Sequence, residues 1–400
     1  MLFKEIPMNF QSSPASQTKL SRPRPQQPHQ QLLQNLLNSA DIRINGDRPW
    51  DMRLHHPDTA KRILLKGSLG LGESYMDGWW DCEQIDEMVS RGMRAGLHQQ
   101  IRNPGLMLFV LKATLFNRQS QDRAWQVGKE HYDLGNDLFE KMLDPYMAYS
   151  CGYWEQASSL EAAQQAKLEL ICRKLQLTPG MKILDIGCGW GSFMRYAAEH
   201  YGVECIGLTI SHEQAEYGKK LAGSLPIQFE LTDYRQMTPG HYGRFDRIVS
   251  VGMFEHVGHK NYRQYFQVAR HCLKDDGLFL LHTIGKKTRG PGVDPWIEKY
   301  IFPNGVLPSV AEIADACEDK FVIEDLHNFG SDYDKTLMAW HHRFEAAWPE
   351  LQHHYSPRFY RMWRFYLLLC AGSFRARDNQ LWQWVLAPKG VDGGYRRPHQ

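Results

Sequence analysis

Long apolar runs and paired cysteines are both missing from this 400-residue chain. No apolar run approaches the roughly 20 residues that a membrane-spanning helix needs, and the N-terminus lacks the apolar segment of a secretory signal. The eight cysteines are scattered, without a CxxC pair or the paired spacing of a zinc site. We therefore expect reduced thiols in the cytosol, and any contact with a membrane must be peripheral.

An excess of charge of one sign is missing too. The formal net charge is +2 at pH 7, and 42% of the residues are hydrophobic and 23% charged. This balance is typical of a globular protein and gives no general argument for nucleic acid as a partner. A local basic face that meets anionic lipid stays open. The length is sufficient for two or three domains and at least one large core.

Composition divides the chain into four parts. Residues 1–30 are rich in Pro, Gln and Ser and contain too little apolar surface to offset the entropy of ordering, so they are predicted to be a disordered tail. Residues 31–118 are predicted to form a small, mostly helical unit, 119–390 a larger one, and 391–400 a flexible C-terminal tail. The nearly continuous apolar stretch 104–117 fits a buried core helix or a helix that contacts lipid.

Strand and helix patterns alternate in the larger unit. The sequence TPGMKILDIGCGWGSF reads as a turn, a strand, a glycine-rich loop and a helix start. Further strands are predicted at 203–210, 227–233, 245–253 and 277–285, helices at 192–201, 211–223 and 260–273, and a late strand pair in FVIEDLHNFG and QLWQWVLAPK. Short strands rich in Val, Ile and Leu that alternate with helices indicate an α/β fold with a parallel sheet covered on both faces.

The loop after the first strand reads Asp185-Ile-Gly-Cys-Gly-Trp-Gly191. Its glycines let the backbone approach a ligand closely, and the N–H groups of the helix start point toward that ligand. A dinucleotide fingerprint needs G-x-G-x-x-G and an acid about 20 residues later, whereas this loop is G-x-G-x-G and the next strand ends without an acid. Because the carboxylate of Asp185 also suits a cation, the loop favours S-adenosyl-L-methionine (SAM). The candidate residues are Asp185, Gly187, Cys188, Gly189 and Gly191.

Further candidates follow the next two strands, since ligands of such sheets bind beyond the carboxyl ends of the strands. Thr209 and Gln214 could bond ribose hydroxyls, and Asp233, followed by Tyr234, could accept from the adenine amino group. Each is weak alone, because Ser211 in the same stretch also suits a helix N-cap and Asp233 a turn. In register with the glycine loop they indicate one cofactor site.

Nine motifs then match one enzyme family in the same order. They are GSLGLGESYMDGWW, VGKEHYDLGNDLF, YSCGYW, LDIGCGWG, SVGMFEHVG, LLHTIG, DPWIEKYIFPNG, HNFGSDYDKTLMAW and CAGSFRARDNQLWQ. From about residue 35 to 390 the chain resembles the cyclopropane-fatty-acyl-phospholipid synthases. The phospholipid-modifying enzymes are more similar than the mycolic-acid cyclopropane synthases, because the N-terminal extension with ESYMDGWW is present.

The resemblance implies a class I SAM-dependent methyltransferase, with a Rossmann-like, mostly parallel seven-stranded sheet and a small, mostly helical N-terminal domain. Residues 31–118 would bind lipid or substrate, 119–390 would be catalytic, and Tyr149 and Ser150 join the cofactor-binding residues. In the implied reaction, SAM methylates the cis double bond of an unsaturated acyl chain in a membrane phospholipid, and the resulting carbocation loses a proton and closes to a cyclopropane. A homodimer in the cytoplasm, peripheral to the inner face of the cell membrane, completes the expectation.

The resemblance also implies a bound bicarbonate ion that takes the proton, surrounded by His282, Tyr333 and the backbone near Cys151 and at Ile284. Glu255 is the odd member of this set, because a carboxylate repels an anion. The O–H of bicarbonate can donate to Glu255, which would orient the ion and could accept its proton. Without the resemblance, Glu255 could equally be a first-turn helix acid, and His282 a satisfied core histidine.

Two other features carry less weight. Cys370 matches a position proposed as the catalytic cysteine of the family, but the reaction needs no thiolate, so Cys370 is a weak candidate that we expect to pack in a helix. His256 and His259 are three residues apart but lack a third ligand, so no metal is predicted.

Two alternative functions stay open. The chain could be a SAM methyltransferase that acts on a polar nitrogen or oxygen of a soluble acceptor, which the identity of the product would reveal. It could also be a lipid-binding module that retains SAM as a structural or sensing ligand. That module would bind liposomes without releasing S-adenosylhomocysteine.

Overall fold

The computed structural model describes residues 28–100, 135–290 and 292–398. The first range forms the expected mostly helical unit and, in addition, a small antiparallel sheet. Its elements are α1 Pro28–Asn38, β1 Arg53–Leu54, α2 Thr59–Met76, β2 Trp80–Asp81, α3 Ile85–Arg94 and α4 Leu97–Gln100. Of the predicted disordered tail, only 28–30 are described, and they begin α1. The apolar stretch 104–117 and the predicted boundary after residue 118 lie outside the described residues.

Seven strands form the central sheet in the order β5-β4-β3-β6-β7-β9-β8. Neighbours from β5 to β7 are parallel, and β9 runs antiparallel to β7 and β8. This is the expected mostly parallel sheet, including the late strand pair. The bounds are β3 Lys182–Ile186, β4 Glu204–Thr209, β5 Ile227–Leu231, β6 Phe245–Val251, β7 Leu273–Lys286, β8 Val322–Asn328 and β9 Asn379–Ala387.

Helices cover both faces of this sheet. Ile183 and Leu184 are consecutive on β3 yet belong to separate core clusters, because successive strand residues point to opposite faces. Both faces are therefore buried, which explains why the strands read as continuous apolar runs. The helices are α5 Asn136–Met142, α6 Leu160–Lys174, α7 Ser192–Tyr201, α8 His212–Ala222, α9 Pro239–Tyr242, α10 Tyr262–Cys272, α11 Pro295–Tyr300, α12 Val310–Cys317, α13 Ser331–Leu351 and α14 Pro357–Arg375, with 3-10 turns at Tyr234–Gln236, Phe254–His256 and His259–Asn261.

The N-terminal unit shares a hydrophobic core with α13 and α14. The ring of Tyr75 lies 5.5 Å from that of Phe365 on α14, and the Arg361 guanidinium lies 3.9 Å from the Tyr75 ring. The buried carboxylate of Glu73 accepts hydrogen bonds from Arg62 on its own helix and from Lys299 on α11. Apolar packing and a partly buried ion pair thus join this unit to the helices beside the sheet.

Gly72 on α2 packs directly on a buried tryptophan. A Cβ at this position would lie 2.3 Å from Cδ1 of Trp296, whose side chain is fully buried and cannot swing away. We expect Gly72→Ala to lower the free energy of unfolding by about 1–3 kcal/mol, the usual cost of overpacking. Denaturant unfolding followed by circular dichroism measures the change.

Gly92→Ala in α3 is the matched control. The nearest atom that its Cβ would meet is 3.5 Å away, which is ordinary contact. The added methyl group should therefore stabilise the helix by about 0.5–1 kcal/mol. Equal stability of Gly72→Ala and the unmodified protein would show that α2 can move away from α11.

Candidate active site

A cavity opens at the carboxyl ends of β3, β4, β5 and β6. Ten of the twelve predicted cofactor-binding residues line it: Tyr149, Ser150, Asp185, Gly187, Cys188, Gly189, Thr209, Gln214, Asp233 and Tyr234. The other two are structural neighbours of lining residues. Gly191 is the left-handed N-cap of α7 with φ of 80°, and Ser211 caps α8 by accepting the N–H of Gln214.

The glycine loop has the sharp turn that its sequence predicts. The N–H groups of Gly187 and Cys188 both donate to the carbonyl of Leu208, at 3.0 and 2.9 Å. Gly187 has φ of 88°, and a Cβ there would lie 2.5 Å from Cγ of Met253. Only glycine fits this position without strain, and its backbone is left open to the cavity.

Asp185 is buried beneath the cavity, and its Oδ1 has no hydrogen-bond partner among the described residues. Burial raises the pKa of Asp185 to about 7, and the positive charge of Lys167 opposes that rise. Lys167 is itself buried, which lowers its pKa to about 8, and its Nζ donates to Ser150 Oγ at 3.0 Å. A buried acceptor without a partner is costly, so Asp185 is ready to accept a bond from a cationic ligand.

Two further pairs of polar residues bond to each other at the cavity. Thr209 Oγ1 donates to Gln214 Oε1 at 3.3 Å. Asp233 accepts from Nε and Nη2 of Arg235, at 2.8 and 2.6 Å. The predicted bond from an adenine amino group to Asp233 would therefore have to use a lone pair that Arg235 leaves open.

A second polar group lies where β6 and β7 end. Glu255, in the 3-10 turn after β6, is buried, and its Oε1 accepts from Ile284 N at 2.7 Å. Its Oε2 makes no hydrogen bond in the described part of the chain. The nearby hydroxyl of Thr283 donates to the carbonyl of Ile284. Burial raises the pKa of Glu255 to about 7, and the Thr283 hydroxyl opposes that rise. The carboxylate thus serves as a bridge to β7, and Glu255 is at the same time an acid in the first turn of the 3-10 helix Phe254–His256.

His282 lies on β7 opposite Val251 and is 1% exposed. Its Nε2 has no partner within the described ranges, and its Nδ1 lies 3.2 Å from Nε2 of Gln383. Burial holds the pKa of His282 well below its usual range, so the ring is neutral. His282 is therefore only half satisfied, with one ring nitrogen free to bond a ligand.

The other predicted residues gather around Tyr333 on α13. Tyr149, Tyr333 and Cys370 pack against the core cluster that contains Cys151, and burial raises the pKa of Tyr333 well above its usual range. Burial also raises the pKa of Cys151 well above its usual range and that of Cys370 to about 12. Both cysteines are thiols at neutral pH, as expected for lining and packing roles.

Comparison with known proteins identifies the family of this chain. The family model described as mycolic acid cyclopropane synthetase matches residues 119–384. The chain belongs to the cyclopropane synthase family. It is 58% identical over 362 residues, 90% of its length, to the cyclopropane-fatty-acyl-phospholipid synthase of Escherichia coli K12, of which it covers 94%.

Solved structures of cyclopropane synthases have the same fold. MmaA2 from Mycobacterium tuberculosis superposes with a TM-score of 0.62 and 34% identity, covering 66% of this chain and 98% of MmaA2. CmaA1 complexed with SAH and CTAB superposes with a TM-score of 0.61 and 34% identity, covering 66% of this chain and 97% of CmaA1. These matches confirm the predicted family and the class I fold, and they make the chain a SAM-dependent methyltransferase.

Several polar residues of the site were missed by the sequence predictions, among them one on α6 and one on β9. Lys167 lines the cavity from α6, and Gln383 reaches His282 from β9. Neither lies in a segment whose pattern predicts a ligand. Their position depends on how α6 and β9 pack against the sheet.

The sequence predicts neither a metal site nor a membrane-spanning helix, and the described residues can be searched for both. Within 28–100, 135–290 and 292–398, no group of three or more His, Cys, Asp or Glu side chains could hold a metal ion. The same ranges contain no helix with the length and hydrophobicity that a bilayer crossing requires. The expected C-terminal tail is described to residue 398, where Arg397 pairs with Asp325 and the Tyr395 hydroxyl donates to the carbonyl of Lys174.

Proposed function

We propose that this cyclopropane synthase transfers a methylene group from SAM to the cis double bond of an unsaturated acyl chain in a membrane phospholipid, with bound bicarbonate as the base. The supporting observation is a pair of buried polar atoms, Glu255 Oε2 and His282 Nε2, that find no partner among the residues described. Glu255 belongs to the segment that also lines the SAM cavity. The name of the E. coli relative supports a fatty-acyl phospholipid as substrate.

These residues fit a small anion that carries one hydrogen. When bound, SAM supplies the carbon of the new ring methylene, and bicarbonate supplies the oxygen base that takes the proton. Glu255 Oε2 can accept the O–H of such an ion, and neutral His282 has one N–H to donate to it. With its pKa raised to about 7, Glu255 can also hold a proton at neutral pH.

The surroundings suit a transient cation on the acyl chain. An alkene is a poor nucleophile, so the protein gains most by holding it in line with the methyl donor and excluding water. The rings of Tyr149 and Tyr333 lie 5.2 and 6.0 Å from that of Trp340. Aromatic faces attract cations by roughly 0.5–2 kcal/mol each, so this cluster favours the cation without trapping it.

Location and assembly belong to the same proposal. The enzyme works in the cytoplasm at the inner face of the cell membrane, as a homodimer in which one N-terminal unit holds the membrane while the partner reacts. Light scattering measures the molar mass directly. Only monomers at working concentration would contradict the dimer, whatever the outcome for the reaction.

Product analysis tests the reaction itself. The protein is incubated with SAM and liposomes of unsaturated phospholipid, and mass spectrometry is run on the acyl chains. We expect a gain of one CH2 with loss of the double bond, no product from saturated liposomes, and a rate that falls in bicarbonate-depleted buffer and recovers when bicarbonate is added. Unchanged acyl chains with SAM-bound protein would contradict the proposal, and methylation of a soluble acceptor would favour the first alternative.

A further inference from the structure

Gln383 is a fully buried polar residue in the middle of β9. It lies in register with His282 on β7 and with His327 on β8. Directly paired residues of antiparallel strands point to the same face of the sheet, so the three side chains form a row. Within this row, Nε2 of Gln383 lies 3.2 Å from Nδ1 of His282.

The state of His282 depends on this contact. A neutral imidazole carries one N–H and one lone pair, and the partner of one nitrogen decides which nitrogen holds the hydrogen. His282 is kept neutral by burial, and the positive charges of Lys167 and Lys174 oppose its protonation further. An amide N–H that donates to Nδ1 requires the lone pair there and leaves the hydrogen on Nε2.

The ring of His282 is confined as well. Phe329 packs edge-on against it at 5.8 Å between centroids, with the planes at 73°. Phe329 in turn lies 5.1 Å from the ring of His327, whose Nδ1 is 3.0 Å from Nζ of the buried Lys174. The row is thus packed against Phe329 and Lys174, and a flip of the His282 ring would disturb the contact with Gln383.

We propose that Gln383 is a positioning residue that fixes His282 as the Nε2–H tautomer, so that the ring presents a donor to the anion site. The role toward bicarbonate rests on the proposed function, but the tautomer itself does not. An ionised glutamate at this position could only accept, which would move the hydrogen to Nδ1. Nε2 would then direct a lone pair at the anion, which is unfavourable. The amide of Gln383 keeps the hydrogen on Nε2 and adds no charge.

Nitrogen NMR of ¹⁵N-histidine protein reads the tautomer directly. The chain has 18 histidines, so the His282 signals are identified by their loss in His282→Gln. We expect the native protein to show Nδ1 with the shift of an unprotonated nitrogen and Nε2 with that of a protonated one. In Gln383→Glu the two should exchange, and in Gln383→Met, which keeps the volume but has no donor, both tautomers should be populated.

Kinetics give the second readout. Residues that orient a metal-bound imidazole commonly contribute 10–100-fold, and a wrong histidine tautomer in a Ser-His-Asp triad costs more. We expect kcat to fall about tenfold in Gln383→Met and at least about 10²-fold in Gln383→Glu, with KM for SAM changed less than about threefold in both. Gln380→Glu is the control, since it adds the same carboxylate to the same strand at a side chain that bonds Arg377 and Asn328.

The outcomes separate this inference from the proposed function. A proton on Nδ1 of His282 in the native protein would overturn the inference, and so would a tautomer that stays Nε2–H in Gln383→Met. If Gln383→Glu does not fold, the His282 tautomer in Gln383→Met still tests the inference. A tautomer that shifts as expected in a protein that makes no cyclopropane would support the inference while contradicting the proposed function.

Discussion

Replacing Glu255 by glutamine should lower kcat about 10³-fold and leave the Kd for SAM within about threefold. The amide keeps an oxygen to accept from Ile284 N, at 2.7 Å in the native protein, so the link between the 3-10 turn and β7 persists. It cannot carry a negative charge or take a proton, and an N–H2 group would replace one acceptor. The ion that it faces would lose its orienting partner. Product formation by mass spectrometry and SAM binding by calorimetry measure the two effects.

The control is Glu216→Gln, which removes an exposed carboxylate that pairs with its helix neighbour Lys219 at 2.9 Å. This variant should turn over at the native rate. If SAM binding collapses in Glu255→Gln, then Glu255 belongs to the cofactor site and its assignment to the anion is wrong. If Glu255→Gln turns over at the native rate, the carboxylate has no role in the reaction.

Local patterns predicted the cofactor side of the site. Asp185 to Gly191 are consecutive, and their spacing alone decides the turn and the exposed backbone. The strands were found because both faces of the sheet are buried, and β7 shows the limit of that signal. The prediction places this strand at 277–285, whereas it begins at Leu273. The prediction misses the first residues because Lys274, Asp275 and Asp276 are exposed and give no apolar pattern.

Residues placed by packing could not be found in this way. A lysine in a helix normally faces water, since lysine is almost never fully buried unless paired, yet Lys167 is buried beside Ser150. The two glutamines of QLWQWVL are three residues apart and therefore point to opposite faces of a strand, so the segment shows no polar face. β9 lies between β7 and β8, and Gln383 is fully buried. The set around Tyr333 came from the family resemblance, because no spacing rule links α13 to residue 151.

Replacing Asp185 by asparagine should raise the Kd for SAM by about 10–100-fold, since a charge-assisted hydrogen bond contributes about 1.5–3 kcal/mol. Calorimetric titration with SAM measures the change. Asp275→Asn is the control, because it removes an exposed carboxylate at the far end of β7 that pairs with Arg270 and Lys389. Native affinity in Asp185→Asn would show that the carboxylate does not bind the cofactor.

The same carboxyl should make SAM binding depend on pH. Burial raises the pKa of Asp185 to about 7, so below that pH the free protein holds a proton that a cationic ligand must displace. Affinity should therefore weaken as pH falls through about 7, by up to about tenfold per pH unit, and Asp185→Asn should remove this dependence. Lys167→Met should move the transition to higher pH, because the positive charge of Lys167 lowers the pKa of Asp185. If the transition persists in Asp185→Asn, another group titrates, and a shift to lower pH in Lys167→Met would mean that the lysine does not act on the carboxylate.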